Sequence, residues 1–230
     1  MNRMHGLMVP SILCLLLAPA AGSADLASLT AAESADGLKA ALTQAAGVAV
    51  SQLGKADGFM GNPEVRIPLP GKLQKASKTA RKLGLGKQID SLELAMNRAA
   101  EAAVPEAREL LVQSIRQMSV KDALDIIRGP ENAATEYFRQ SMSGKLAEKF
   151  QPIVSKATTD VQLAAKYNNV ASKASALGLI DSSDASLDTY VTRKALDGLF
   201  LVMAKEEAAI RKNPMAQASS LLRKVFGSGK

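Results

Sequence analysis

The chain has 230 residues, 47% of them apolar, which is enough to bury one large core. Aromatics are only 3% and Trp is absent, so the apolar positions are mostly Ala and Leu, a composition that favours helix over sheet. The net charge of +7 fits an anionic partner or surface, and it equally fits plain solubility.

Residues 1–24 read as a cleavable secretory signal. Arg3 supplies the positive start, and Leu7 to Leu17 is an apolar stretch too short to span a bilayer. Small residues follow, and the expected cut is after Ala24, with Ala20 the competing site. Cys14 lies inside the apolar stretch behind Leu13, a context that does not fit a lipid anchor. Cys14 and His5 are the only Cys and His, so removing the leader removes both. The remaining chain then has no disulfide, no Cys–His or Ser–His–Asp machinery and no zinc site built on Cys or His. These features place the protein in the periplasm, with no cofactor expected.

Residues 25–35 are small and polar and read as a disordered linker, followed by a helical domain over 36–227. Leu38, Leu42, Ala45, Ala46, Ala49 and Leu53 form one apolar stripe of a first helix, which Gly54 stops. Lys55 to Pro70 is a loop, because it holds three Pro and X-Pro residues resist helix. Phe59, Met60, Ile67 and Leu69 are apolar enough to pin it to the body, so it is either a structural strap or a functional loop.

Gly71 to Leu83 reads as an amphipathic helix. Leu73, Ala76, Ala80 and Leu83 share one sector, while Lys72, Lys75, Lys78, Arg81 and Lys82 fill the opposite half. Such a face either lies on an anionic membrane or is simply solvated. Gly84 is its expected stop.

Gln88 to Met118 reads as a long helix interrupted near Pro105. Ser119 to Asp122 forms a capping box that opens a short helix to Arg128, which Gly129-Pro130 ends. Asn132 to Lys156 gives one or two helices with weak points at Ser143-Gly144 and Pro152. Thr159 opens a further helix to Ser175, and a last one follows Asn213-Pro214. Between them, Tyr190 to Asn213 carries the longest apolar run outside the leader, Leu199 to Ala204, and is apolar nearly all round. It reads as a buried helix at the centre of one all-α, bundle-like domain.

Glu93, Asn97 and Glu101 are spaced by four, with Arg98 beside them, on an otherwise Ala-rich helix. Charges there need partners, and Tyr137 with Arg139, or Lys194 with Asp197, are the candidates on other helices. The group reads either as a register-setting network or as a binding site. Glu93 and Glu101 are about 12 Å apart by helical rise, too far for a paired acid–base site without another helix. An oxygen-ligand metal site on Glu93, Glu101 and Asp197 is conceivable, but no metal site and no catalytic residue is assigned. Nucleic acid is not an expected partner, given the leader and the few aromatics.

The segments DGFMGNPEVRIPLP (57–70), LELAMNRAAEAAVPEA (92–107), AATEYFR (133–139) and YVTRKALDGLFLVMAKEEAAIRKNP (190–214) together resemble a bacterial family known as domain-of-unknown-function family 4197. The resemblance runs from Gly37 to Gly227. It implies an exported, all-helical protein of the Gram-negative envelope and brings no catalytic residues with it. Three functions follow as expectations: a non-enzymatic binding or envelope-structural protein with a basic surface, whose partner is an anionic membrane or another envelope component; a helical pocket for an apolar or acyl ligand closed by the 55–70 loop; or a carboxylate-based hydrolase.

Overall fold

A computed structural model describes residues 30–71, 74, 77, 81–159, 165, 167, 168 and 186–213. The expected leader, the cationic positions Lys72, Lys75 and Lys78, most of the expected 159–175 helix and the helix expected after Pro214 lie outside the described residues. Among the described residues there is no strand, and the fold is all-α. Among the described residues six α-helices are given in full and belong to a single domain: α1 (Ala31–Leu53), α2 (Gly86–Ala103), α3 (Ala107–Gln117), α4 (Val120–Arg128), α5 (Ala133–Thr159) and α6 (Leu187–Lys212).

Helix α1 begins inside the segment expected to be a disordered linker. Thr30 is the reason. Its hydroxyl accepts the Glu33 amide at 3.2 Å, and the Glu33 carboxylate accepts the Thr30 amide at 2.8 Å. This capping box satisfies two of the free N–H groups at the helix start, so residues 31–35 belong to the helical domain. The expected apolar stripe of α1 is buried along its whole length.

Helix α2 runs into a 3-10 turn at Val104–Glu106, where Pro105 sits in the first turn, and α3 continues from it. Ser119 caps α4 through the expected box with Asp122. Helix α5 passes unbroken through Ser143-Gly144 and Pro152. An interior proline costs about 3 kcal/mol, but the row Phe138, Met142, Leu146, Phe150 and Val154 is buried throughout, at about 1.5–3 kcal/mol per side chain. Packing wins over local preference.

Helix α6 is the centre of the domain, packing on α1, α2 and α5. Leu196, Leu199, Phe200, Val202, Met203 and Ile210 are buried on it, and Leu201, 38% exposed, is the one member of the apolar run that turns outward. The strap, residues 55–70, crosses α2 and α6. Phe59, Val65, Ile67 and Leu69 are all buried in the same core as α6. Room for Phe59 comes from Gly198: a Cβ there would lie 2.7 Å from Phe59 Cε1 and 3.3 Å from Val65 Cβ. Gly198→Ala is therefore expected to be destabilising despite the roughly 1 kcal/mol that alanine gains in a helix. Overpacking a buried ring costs up to about 3 kcal/mol, so the expected net loss is about 1–2 kcal/mol in chemical denaturation. A variant as stable as wild type would mean that Phe59 is not seated on α6.

Candidate functional site

The polar stripe on α2 does meet partners, but they are on the strap. Neither the Tyr137–Arg139 region nor the Lys194–Asp197 region, the expected partners, touches it through a described hydrogen bond or ion pair. Asn97 is fully buried. Its Oδ1 accepts the Ile67 amide at 2.9 Å, and its Nδ2 donates to the Ile67 carbonyl at 3.0 Å and to the Glu93 carbonyl at 2.8 Å. Ile67 thus receives from one side chain the two bonds that a neighbouring strand would have given it.

Glu101 acts in the same way one turn further on. Its Oε1 accepts the amides of Phe59 (3.0 Å) and Met60 (3.1 Å), while Oε2 accepts from Arg98. Arg98 reaches on to Asp57 Oδ1 at 2.8 Å, and Asp57 occupies a left-handed backbone conformation (φ 64°) at the strap's first turn. At the other end of the stripe, Arg66 pairs with Glu93 at 3.0 Å. Glu93, Asn97 and Glu101, four residues apart on α2, thus each hold one point of the strap. Helix α6 adds ties from the other side: Tyr190 Oη donates to the Pro68 carbonyl at 3.0 Å, and Lys205 pairs with Glu64.

The remaining candidates form a separate cluster. Asp197 accepts from Arg139 at 3.5 Å and lies 3.8 Å from Lys194, and Arg139 also faces Glu136 at 3.6 Å. The Arg139 guanidinium sits 4.8 Å above the Phe200 ring. Tyr137 packs edge-on against Phe138, and burial pushes its phenol pKa up. All four ion-pair partners are partly solvated, so this cluster contributes at most about 1 kcal/mol per pair. Among the described residues no three carboxylates or imidazoles converge as metal ligands would.

A groove of about 510 Å³ runs along the outer face of α3, between Pro105, Arg108, Glu109, Val112 and Arg116. Its walls are largely charged and polar, unlike the apolar lining that an acyl chain needs.

One node was not foreseen. Glu207, on α6, is 4% exposed and accepts the amides of Ala134 (3.0 Å) and Thr135 (2.9 Å) and the Thr135 hydroxyl (2.9 Å). Arg211 pairs with it at 3.0 Å and also donates to the Ile126 and Ile127 carbonyls. The only sequence signal was Glu and Arg four residues apart behind a buried run, a pairing that solvated helices also show.

Of the cationic segment, Arg81 and Lys82 are described, and both are exposed. Arg81 pairs with Asp90 at 2.6 Å, and that hydrogen bond holds the Asp90 carboxyl below the usual carboxylate range. At Gly84 the backbone turns left-handed (φ 85°), as expected of a helix stop. Leu83, on the apolar sector of the expected helix, is 75% exposed, and Leu85 is 46% exposed.

The family model for the protein of unknown function family DUF4197 matches residues 28–227, and the chain belongs to that family. No curated protein and no solved structure matches it.

Proposed function

We propose that the protein is a non-enzymatic component of the cell envelope, exported by its leader to the periplasm, that binds an anionic partner through the basic segment from Lys72 to Lys82. The observation that carries this reading is the cationic stretch ending in solvent. Between residues 65 and 89 there are seven Lys or Arg and no Asp or Glu, and residues 81–85 are all exposed. A local field of one sign raises the concentration of an oppositely charged partner.

The internal carboxylates support the same reading by being engaged elsewhere. A hydrolase built on Glu93, Glu101 or Asp197 would need a free carboxylate. Glu101 uses both oxygens on the strap and Arg98, Glu93 holds Arg66, and Asp197 faces Arg139 and Lys194. The acyl-pocket alternative would need the strap to act as a lid, yet Phe59 and Ile67 fill the space beneath it.

Sedimentation with isolated envelope membranes tests the proposal. Binding is expected at low salt and to weaken steeply as the Debye length falls from about 30 Å at 0.01 M to about 8 Å at physiological ionic strength. Changing Lys72, Lys75, Lys78, Arg81 and Lys82 together to Gln is expected to abolish it, with the fold intact by circular dichroism. Binding that ignores salt, or that survives this variant, would overturn the reading.

A further inference from the structure

We propose that the Leu83-Gly84-Leu85 turn inserts into the interface of an anionic lipid bilayer, a reading that rests on the anionic-surface function above and names its partner. Leu83 and Leu85 are the first and second most exposed large apolar residues among those described, and they flank one residue. The left-handed Gly84 lets the chain reverse between them. Among the described residues no atom lies within 4 Å of a Cβ built on Gly84, so none of them covers the turn there. Leu94, one turn beyond Asp90 on α2, is also exposed.

Cations surround the leucines. Arg81, Lys82 and Lys87 are all exposed, and the nearest carboxylate along the chain, Asp90, is neutralised by Arg81. Apolar tips with basic neighbours match the two layers of an anionic interface, in which headgroup phosphates lie above acyl chains. Each cation near such a surface strengthens binding by roughly fivefold, and buried methylenes add to this. A projecting tip suits a fluid bilayer, which deforms around it. A protein partner would need a pocket shaped for two leucines on either side of a reversal.

The chain contains no Trp, so Leu83→Trp introduces a single reporter, and Leu201→Trp on α6 serves as the control. Each is mixed with vesicles of phosphatidylethanolamine and phosphatidylglycerol carrying brominated acyl chains. The expected result is a blue shift and bromine quenching at position 83, with neither at position 201. Leu83→Ser combined with Leu85→Ser, which adds no charge, is expected to lower vesicle binding by roughly tenfold at constant salt, because it removes the inserted apolar area. Both positions are exposed, and circular dichroism checks that the variants fold. If the protein binds these vesicles in a salt-dependent way while the position 83 emission stays unchanged and unquenched, insertion is wrong and the anionic-surface function stands. If it binds envelope membranes but not protein-free vesicles, the partner is another anionic envelope component and the lipid assignment is overturned. If it binds neither, both readings fail.

Discussion

Asn97→Ala is expected to loosen the strap and to destabilise the whole domain by about 2–6 kcal/mol. That range comes from leaving two buried backbone groups unpaired at about 1–3 kcal/mol each. The groups are the N–H and C=O of Ile67, a residue 1% exposed, and Asn97 is their partner in the structure. No rotation of the strap can hand them to water without lifting Ile67 and Leu69 out of the core. Asn97→Asp is the sharper test. Its shape is nearly the same and one oxygen can still accept from Ile67, but the second would face the Ile67 and Glu93 carbonyls, which Nδ2 now donates to. Aspartate should therefore be no better than alanine. Hydrogen exchange separates local from global effects, since the Ile67, Phe59 and Met60 amides should lose protection before those of α6. If Asn97→Ala lies within about 0.5 kcal/mol of wild type, the usual range for a surface substitution, the Asn97 bonds to Ile67 are not what holds the strap.

How much of this could be read from the chain depended on where the partner lay. Apolar stripes announce themselves because their partner is any other apolar surface. Leu38 to Leu53, and the run around Leu199 to Met203, were legible for that reason. The Ser119 box was equally legible, because all its parts lie within four residues. The Thr30 box has the same form, but its position in a small-residue stretch masked it. The polar stripe was legible as a group needing partners, and its spacing was right. Its actual partners are backbone amides and carbonyls of the strap, which every residue carries and which leave no mark in a sequence. Side chains at Tyr137, Arg139, Lys194 and Asp197 offered visible charge complementarity and so drew the expectation away. Leu83 falls on an apolar sector by periodicity, which gives the face of a helix but not what that face meets.

Glu207→Ala is expected to cost about 3–5 kcal/mol, because it breaks a largely buried ion pair and removes the acceptor of two buried amides. Three helix ends explain the size. The carboxylate sits at the start of α5, where the first N–H groups have no helical acceptor, and it takes those of Ala134 and Thr135. Its negative charge also faces the positive end of that helix dipole. Arg211, near the end of α6, donates to two carbonyls at the end of α4: that of Ile126, which also accepts the Gly129 amide, and that of Ile127. One ion pair on α6 therefore closes both sides of the Gly129-Pro130 turn. An ordinary buried pair can often be replaced by apolar residues of similar volume with little loss. Here that should fail. Glu207→Met combined with Arg211→Met removes both charges but takes these partners from the Ala134 and Thr135 amides and the Ile127 carbonyl, so it should remain destabilised by at least about 2 kcal/mol. Glu207→Gln keeps an acceptor and should fall between wild type and alanine. Urea denaturation of the four proteins orders them, and a double Met variant as stable as wild type would show that the turn is closed by packing and not by this pair.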